Sequence, residues 1–370
     1  MRRLLVRGWG ILFFLLVGVG WVQADPIQAL VNQVSQTDYT GYLRDGLYTH
    51  QGNNRNDGQP DHESAKAFIY NTLTSFGLST VYDTGTYGGS PYTNVVATLP
   101  GQVYPQQIYI VGAHYDSVNC PGADDNASGV AAVLEAARIL SQYQFERTIL
   151  FIAFDREEDG LIGSYGYATA HAGDNIRGML SLDMIAFNHV NPTYQNKAWV
   201  TRAATGSPSA TQTALANALS TYSTITPITG VMGYSDHVPF AGFGDGSALL
   251  IEYAMSAYQN PYYHSVNDYT VDSLGQAQTW TYGSNTYFYI DYAYATQMTR
   301  GVVGYLATVA GLMEPPVVIP EPASMWLAVV GGGMLMVGVL RFRRSSPSRL
   351  TRAHVTDASL GLHPPIRLGV

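Results

Sequence analysis

Residues 108–117, Ile-Tyr-Ile-Val-Gly-Ala-His-Tyr-Asp-Ser, and residues 148–160, Thr-Ile-Leu-Phe-Ile-Ala-Phe-Asp-Arg-Glu-Glu-Asp-Gly, decide how the rest of the chain is read. Each opens on a short, β-branched and aromatic run of the kind that forms a buried strand. The first run delivers His114 and Asp116, and the second delivers Glu157 and Glu158. Between them lies Pro121-Gly122-Ala123-Asp124-Asp125-Asn126-Ala127-Ser128-Gly129, an acidic turn that opens a helix predicted over Val130–Ser141. In an open α/β sheet, ligand chemistry sits at the carboxyl ends of the strands. Two strands and a helix start thus carry a histidine and several carboxylates to one rim, which is how a metal site is assembled.

Outward from this stretch, strands and helices interleave, and the pattern predicts an α/β fold in one domain over residues 25–312. Helical spacing covers Asp38–Leu47 and His62–Phe76, with Gly77 placed to end the second helix. Thr80–Asp83 and Thr93–Leu99 alternate as antiparallel strands. Further on, Leu161–Ala172 and Ser209–Thr221 read as helices, and Trp199–Thr201 and Ala248–Tyr253 as strands. Another strand ends near Asp183. Ser235-Asp236-His237 starts a helical turn. Tyr287–Leu312 is amphipathic and predicts a closing helix, whereas the polar, aromatic stretch Gln276–Thr286 has no clear period and predicts a loop.

The chain has 370 residues and a formal charge of −8, which argues against nucleic acid as a partner. Tyrosine is abundant, at 27 residues, and Cys120 is the single cysteine, so no intrachain disulfide can form. Residues 1–24 combine a basic start, the apolar run Trp9–Val22 and the small-residue site Val22-Gln23-Ala24, the signature of a secretory signal peptide. At the other end, residues 313–322 form a proline-rich linker. Ala323–Leu340 is then free of charge and about as long as a membrane span requires. Arg341-Phe342-Arg343-Arg344 follows as a basic stop, on the side the positive-inside rule places in the cytoplasm.

Pro320-Glu321-Pro322, the apolar span and the arginine cluster together resemble a PEP-CTERM sorting signal. That resemblance implies an exported, membrane-anchored intermediate facing outward, then processing by an exosortase and release to the cell surface or matrix. Residues 345–370 extend past the point where such signals end and read as a disordered tail.

Zinc takes imidazole nitrogen and carboxylate oxygen where no thiolate is offered, and catalytic sites leave a position open. His114, Asp125, Glu157 or Glu158, Asp183 and His264 are the candidate ligands. Taken singly, each has a structural reading as a satisfied pair, a helix cap or a solvated face. Taken together, each follows a predicted strand or lies in a loop on the same edge. No Gly-x-Ser-x-Gly elbow, His-Glu-x-x-His helix or Gly-x-Gly-x-x-Gly loop competes with this reading.

The set Gly-Ala-His-Tyr-Asp-Ser, Pro-Gly-Ala-Asp-Asp-Asn-Ala-Ser-Gly, Glu-Glu-Asp-Gly, Leu-Asp-Met, Ser-Asp-His and Tyr-His-Ser, with Asp268 beyond it, resembles the M28 family of di-zinc peptidases. In particular it is similar to the bacterial leucyl-type aminopeptidases. The resemblance implies a three-layer α/β/α fold with a mixed, mostly parallel sheet, peptide substrates and two zinc ions. Residue by residue, it makes His114 and Asp183 ligands of one zinc and Glu158 and His264 ligands of the other. Asp125 would bridge them and Glu157 would be the general base.

The residue chemistry agrees, because a bridging carboxylate offsets the repulsion between two dications. Asp116 is placed to fix the His114 tautomer, and Tyr263 to hydrogen-bond the oxyanion. Asp236 and His237 are expected beside the site rather than on the metals. His171 and His189 match no motif and are expected at the surface. A carboxypeptidase or a glutaminyl cyclase on the same scaffold, or a binding protein that has lost catalysis, are the competing functions.

Overall fold

The computed structural model describes residues 25–313. The signal peptide, the linker beyond residue 313, the apolar span and the tail therefore lie outside the described residues. The described residues form ten strands: β1 Ser79–Tyr87, β2 Ser90–Leu99, β3 Tyr104–His114, β4 Arg147–Phe154, β5 Ile176–Leu182, β6 Lys197–Arg202, β7 Thr226–Val231, β8 Ser247–Glu252, β9 Thr279–Tyr282 and β10 Asn285–Phe288. The helices are α1 Pro26–Val31, α2 Gln36–Thr40, α3 Pro60–Ser75, α4 Gly129–Leu140, α5 Ile162–Ala170, α6 Ala210–Tyr222 and α7 Tyr292–Ala310. Among the described residues, no helix is long and apolar enough to cross a membrane.

Eight strands form one mixed sheet in the order β1-β2-β4-β3-β5-β8-β6-β7. The central strands β4, β3, β5 and β8 pair in parallel, so their carboxyl ends share one edge. Antiparallel pairs join β1 to β2, β2 to β4 and β6 to β8. A strand covered on both faces must be apolar along its covered length, and Ile149–Phe154 of β4 meets that demand. Its Ile149, Phe151 and Ala153 face the larger core, and Leu150, Ile152 and Phe154 face the smaller one. The larger core takes apolar side chains from α1, α2, α3, α4, α6 and α7, whereas the smaller one is closed by Tyr167 and Ala168 of α5 with Phe240. The three-layer architecture implied by the sequence is the one observed.

Helix α4 starts hard against the sheet. A Cβ on Gly129 would lie 2.5 Å from the Leu182 carbonyl and 2.4 Å from Asn126 Oδ1, so a side chain there would push the helix off β5. That close approach brings the acidic turn before α4 over the carboxyl ends of the strands. Gly77 ends α3 as its position predicts, at φ +79°.

Two expectations are corrected. The stretch 276–286 is not a loop throughout, because Thr279–Tyr282 and Asn285–Phe288 pair as a hairpin around Gly283, whose φ is +62°. Trp280, almost fully buried against Phe187, anchors it. The closing helix therefore begins at Tyr292 rather than Tyr287, with Asp291 capping it by accepting a 2.9 Å bond from the Tyr294 N–H. Strand β7 has no counterpart in the sequence reading.

Candidate metal centre

Each element hands its functional side chain to the same rim. His114 is the last residue of β3, Glu157 and Glu158 follow β4, Asp183 follows β5, and His264 lies in the loop after β8. Asp125 comes from the tight turn Ala123–Ser128, where its own φ and ψ (−107°, 92°) leave the helical range and turn the carboxylate into the centre. His264 sits at φ +52°, a conformation that non-glycine residues seldom adopt and that functional sites often contain.

Asp125 stands between the two imidazoles. Its Oδ1 is 3.4 Å from His114 Nε2, and its Oδ2 is 3.2 Å from His264 Nε2. His114 Nε2 is also 3.6 Å from Asp183 Oδ1, and His264 Nε2 is 3.3 Å from Glu158 Oε2. His114, Asp125 and Asp183 form one group with potential ligand atoms within 4.8 Å of one another, and Asp125, Glu158 and His264 form another. Asp125 belongs to both. Glu157 enters neither, although it groups with His114 and Glu158.

The electrostatics calls for cations. Burial pushes the Glu157 carboxyl well above its ordinary range and Glu158 to about 7, with neighbouring carboxylates adding to both. Burial raises Asp125 as well, but the imidazoles of His114 and His264 outweigh it and hold that carboxylate low. His264 in turn is pushed up to about 10, chiefly by Asp125 and then by Glu158. Glu158 Oε1 is buried without a hydrogen-bond partner among the described residues. A cage of carboxylates whose balancing charges lie on its own imidazoles fits divalent metal, and the nitrogen and oxygen donor set fits zinc.

Supporting groups fix these side chains. Asp116 lies 3.4 Å from His114 Nδ1, as expected, and also does more. Its carboxylate accepts the backbone N–H groups of Glu157 at 3.0 Å and Glu158 at 3.1 Å, which sets the two glutamates relative to His114. Asp155 secures the start of the same loop by accepting from Thr93 N–H at 2.7 Å and pairing with buried His62 at 2.9 Å. Asp268 accepts from Asp124 and Asp125 N–H. Asn260 donates to Asp124 Oδ2 at 2.8 Å and Glu252 Oε1 at 3.0 Å. The sequence reading gave no role to Asp155, His62, Asp268, Asn260 or Glu252. The one signal among them was the position of Asp268 just after His264.

Tyr263 lines the same pocket with its ring stacked on His264, centroids 3.9 Å apart. Asp236 is fully buried, both its oxygens lack a hydrogen-bond partner among the described residues, and burial pushes it to about 7. His237 turns away from the cluster and bonds the Met232 carbonyl at 2.9 Å, and burial lowers it to about 4. His171 is partly exposed and pairs with Asp174. His189 corrects its expectation, since it is buried among Phe187, Tyr194, Trp280 and Tyr282, aromatic neighbours that single-residue reading does not reveal. Cys120 is buried too, and its thiol is pushed up to about 12 chiefly by burial, so it is no ready nucleophile.

Comparison with known proteins agrees with this geometry. A probable zinc metalloprotease of Pyrenophora teres f. teres is 45% identical over 104 residues, covering 25% of this chain and 22% of that protein. The chain thus spans about a fifth of that curated relative's length. The LapA aminopeptidase of Legionella pneumophila superposes with a TM-score of 0.63 at 19% identity, covering 78% of this chain and 75% of that one. A glutaminyl cyclase of Porphyromonas gingivalis gives a TM-score of 0.57 at 20% identity, covering 74% of this chain and 98% of that one. At such identities these two structures show the shared fold. Residues 94–290, which hold every residue of the cluster, match peptidase family M28, and the chain belongs to that family.

Proposed function

We propose that the chain is a di-zinc aminopeptidase that removes an apolar residue from the free amino end of peptides. The observation that carries this reading is the charge of the pocket. Asp125, Glu157, Glu158 and Asp183 line it together with His264, and among the described residues no arginine or lysine does. With Asp125, Glu158 and Asp183 committed to metal, Glu157 is the lining carboxylate left to face a substrate's ammonium group, whereas a carboxypeptidase needs a cation for the chain's terminal carboxylate. Beside Ser235 and three tyrosines, the remaining wall is formed by Met184, Met232, Ile251 and Met255 around a cavity of about 280 Å³, and this apolar part suits an aliphatic or similar side chain.

In this reading His114 and Asp183 would hold one zinc and Glu158 and His264 the other, with Asp125 shared between them. Bound there, zinc would supply Lewis acidity toward the scissile carbonyl and the attacking water. Glu157, half-buried in the pocket and outside both ligand groups, takes a proton from the attacking water and returns it to the leaving amine nitrogen. The Tyr263 hydroxyl, held protonated by burial and the surrounding carboxylates, donates to the carbonyl oxygen as negative charge grows there.

The reading extends to location. Residues 1–24 export the domain, and residues 323–344 anchor an outward-facing intermediate that an exosortase then cleaves.

The test is an assay of the purified full chain with zinc on leucyl peptides carrying free, N-acetylated or C-terminally amidated ends. Free-amine peptides are expected to react, amidation to matter little, and acetylation to abolish turnover. Equal rates on acetylated and free peptides would overturn the aminopeptidase assignment. Release of ammonia from N-terminal glutamine without peptide cleavage would assign the cyclase chemistry instead. Activity that survives a strong chelator would remove the metal mechanism altogether.

A further inference from the structure

The proposed mechanism makes no use of Arg55, which is 1% exposed and lies in the loop between the turn at Gly46 and helix α3. Its guanidinium forms no ion pair within 4.0 Å among the described residues. It donates instead to three backbone carbonyls: Tyr115 at 3.1 Å from Nε, Gly122 at 2.9 Å from Nη2 and Leu47 at 3.3 Å from Nη1. The backbone of Arg55 adds two more bonds, its N–H donating to the Cys120 carbonyl at 3.3 Å and its carbonyl accepting from Ser117 N–H at 3.2 Å. Four of these five contacts fall on residues 115–122, and Asn56 Nδ2 adds a bond to the Ser117 carbonyl at 3.1 Å.

That segment joins His114 to the turn that carries Asp125, so its shape sets how far apart those two side chains stand. The fit of Arg55 beneath it is close. A Cβ on Gly122 would come within 2.9 Å of Nη2, and Gly122 itself sits at φ +61°. Burying a guanidinium without a direct carboxylate partner is costly. Here burial pulls its pKa down, and the carboxylates of Asp268, Asp116 and Asp125 oppose that pull. The charge is therefore held where carboxylates converge, while the planar fork reads the loop's carbonyls.

We propose that Arg55 is a positioning residue of the metal centre, clamping residues 115–122 so that His114 and Asp125 keep the spacing a shared ligand requires. This rests on the reading of the cluster as a zinc site. It makes metal affinity, rather than folding alone, depend on the guanidinium.

The experiment measures zinc affinity of the purified full chain by competition with a chromophoric chelator, beside its metal-free melting temperature. Arg55→Lys keeps the charge but cannot reach the Tyr115 and Gly122 carbonyls together. Folded Arg55→Lys protein is expected to bind zinc at least about tenfold more weakly, the scale seen when groups that orient ligands are removed. Asn56→Ala removes a single clamp bond and is expected to weaken zinc binding by a smaller factor, about threefold on the same scale. It serves as the deciding variant if Arg55→Lys does not fold. A lower melting temperature with unchanged zinc affinity would show a merely structural arginine and overturn the proposal. So would unchanged affinity in Asn56→Ala when Arg55→Lys cannot be purified. A wild-type chain that takes up no zinc would overturn the zinc reading, and this proposal with it.

Discussion

Asp268 Oδ2 accepts a 3.0 Å hydrogen bond from the backbone N–H of Asp125, across 143 positions of sequence. Its other oxygen accepts from Asp124 N–H at 2.7 Å. The loop after β8 thus contributes twice to one centre: His264 faces the Asp125 carboxylate from outside, and Asp268 holds the Asp125 backbone from beneath. Asp125 cannot turn out of the centre without breaking contacts to a segment that itself carries a ligand. Because the carboxylate is buried and accepts from both amides, its role is geometric.

Asp268→Asn tests that relationship. An asparagine keeps the shape but presents an N–H group to one of the two backbone donors. The mismatch leaves a buried amide unsatisfied, at a cost of about 1–3 kcal/mol in stability. Zinc affinity is expected to fall about 10–100-fold, as for other groups that orient ligands. Unfolding curves and a zinc titration check the two effects separately.

Glu157 and Glu158 are neighbours held by the same Asp116 carboxylate, and the proposed mechanism gives them different work. Glu157→Gln is expected to retain its metal and lose at least about a hundredfold in kcat, the scale of general-base removal. Glu158→Gln is expected to lose metal as well, since Glu158 lies in the group with Asp125 and His264. Metal analysis beside kinetics decides this. Full metal content in both variants would mean that Glu158 is no ligand.

What was legible in the sequence follows from how each residue acts. The central strands could be read because burial on both faces forces unbroken apolar runs such as Ile149–Phe154. The candidate ligands could be read because each stands just past a strand or in a loop on the same edge. Strand β7, Thr-Pro-Ile-Thr-Gly-Val, escaped because a proline and a glycine interrupt an edge strand with no fully buried position. The hairpin at 279–288 escaped because its order depends on Trp280 reaching Phe187, far away in sequence. Arg55, Asn260 and Asp268 escaped for a different reason. They act on backbone groups or buried acids of distant loops, and no periodicity records such contacts.

The apolar wall predicts substrate preference. Met232 lines the pocket on the partly exposed side of the cluster formed by Met184, Leu249, Ile251 and Met255. Met232→Glu places a charge where an aliphatic side chain would lie, without opening the core. The variant is expected to lose at least about tenfold in kcat/KM on leucyl peptides, within the range that single pocket contacts control. Peptides beginning with arginine are expected to lose less or to gain. Met232→Leu is expected to leave both nearly unchanged. Equal losses on both substrates in Met232→Glu would place Met232 away from the bound side chain.

The proposed location can be tested apart from the chemistry, because it rests on other residues. The charge-free run Ala323–Leu340 with Arg341–Arg344 behind it provides a span and a cytoplasmic stop. Proline-rich spacers are extended as a rule, so the prolines at 315, 316, 320 and 322 are expected to leave the connection within reach of a processing enzyme. An epitope placed between Gly88 and Gly89 can follow the domain without disturbing it. Both glycines occupy a turn with positive φ and open space around them. In cells with an exosortase, fractionation is expected to show a membrane-bound form and a shorter, released one, and a host without the enzyme is expected to keep only the first. Full-length protein soluble in the cytoplasm would end the export reading. The same mass and fraction in both hosts would remove the sorting step and leave an anchored enzyme.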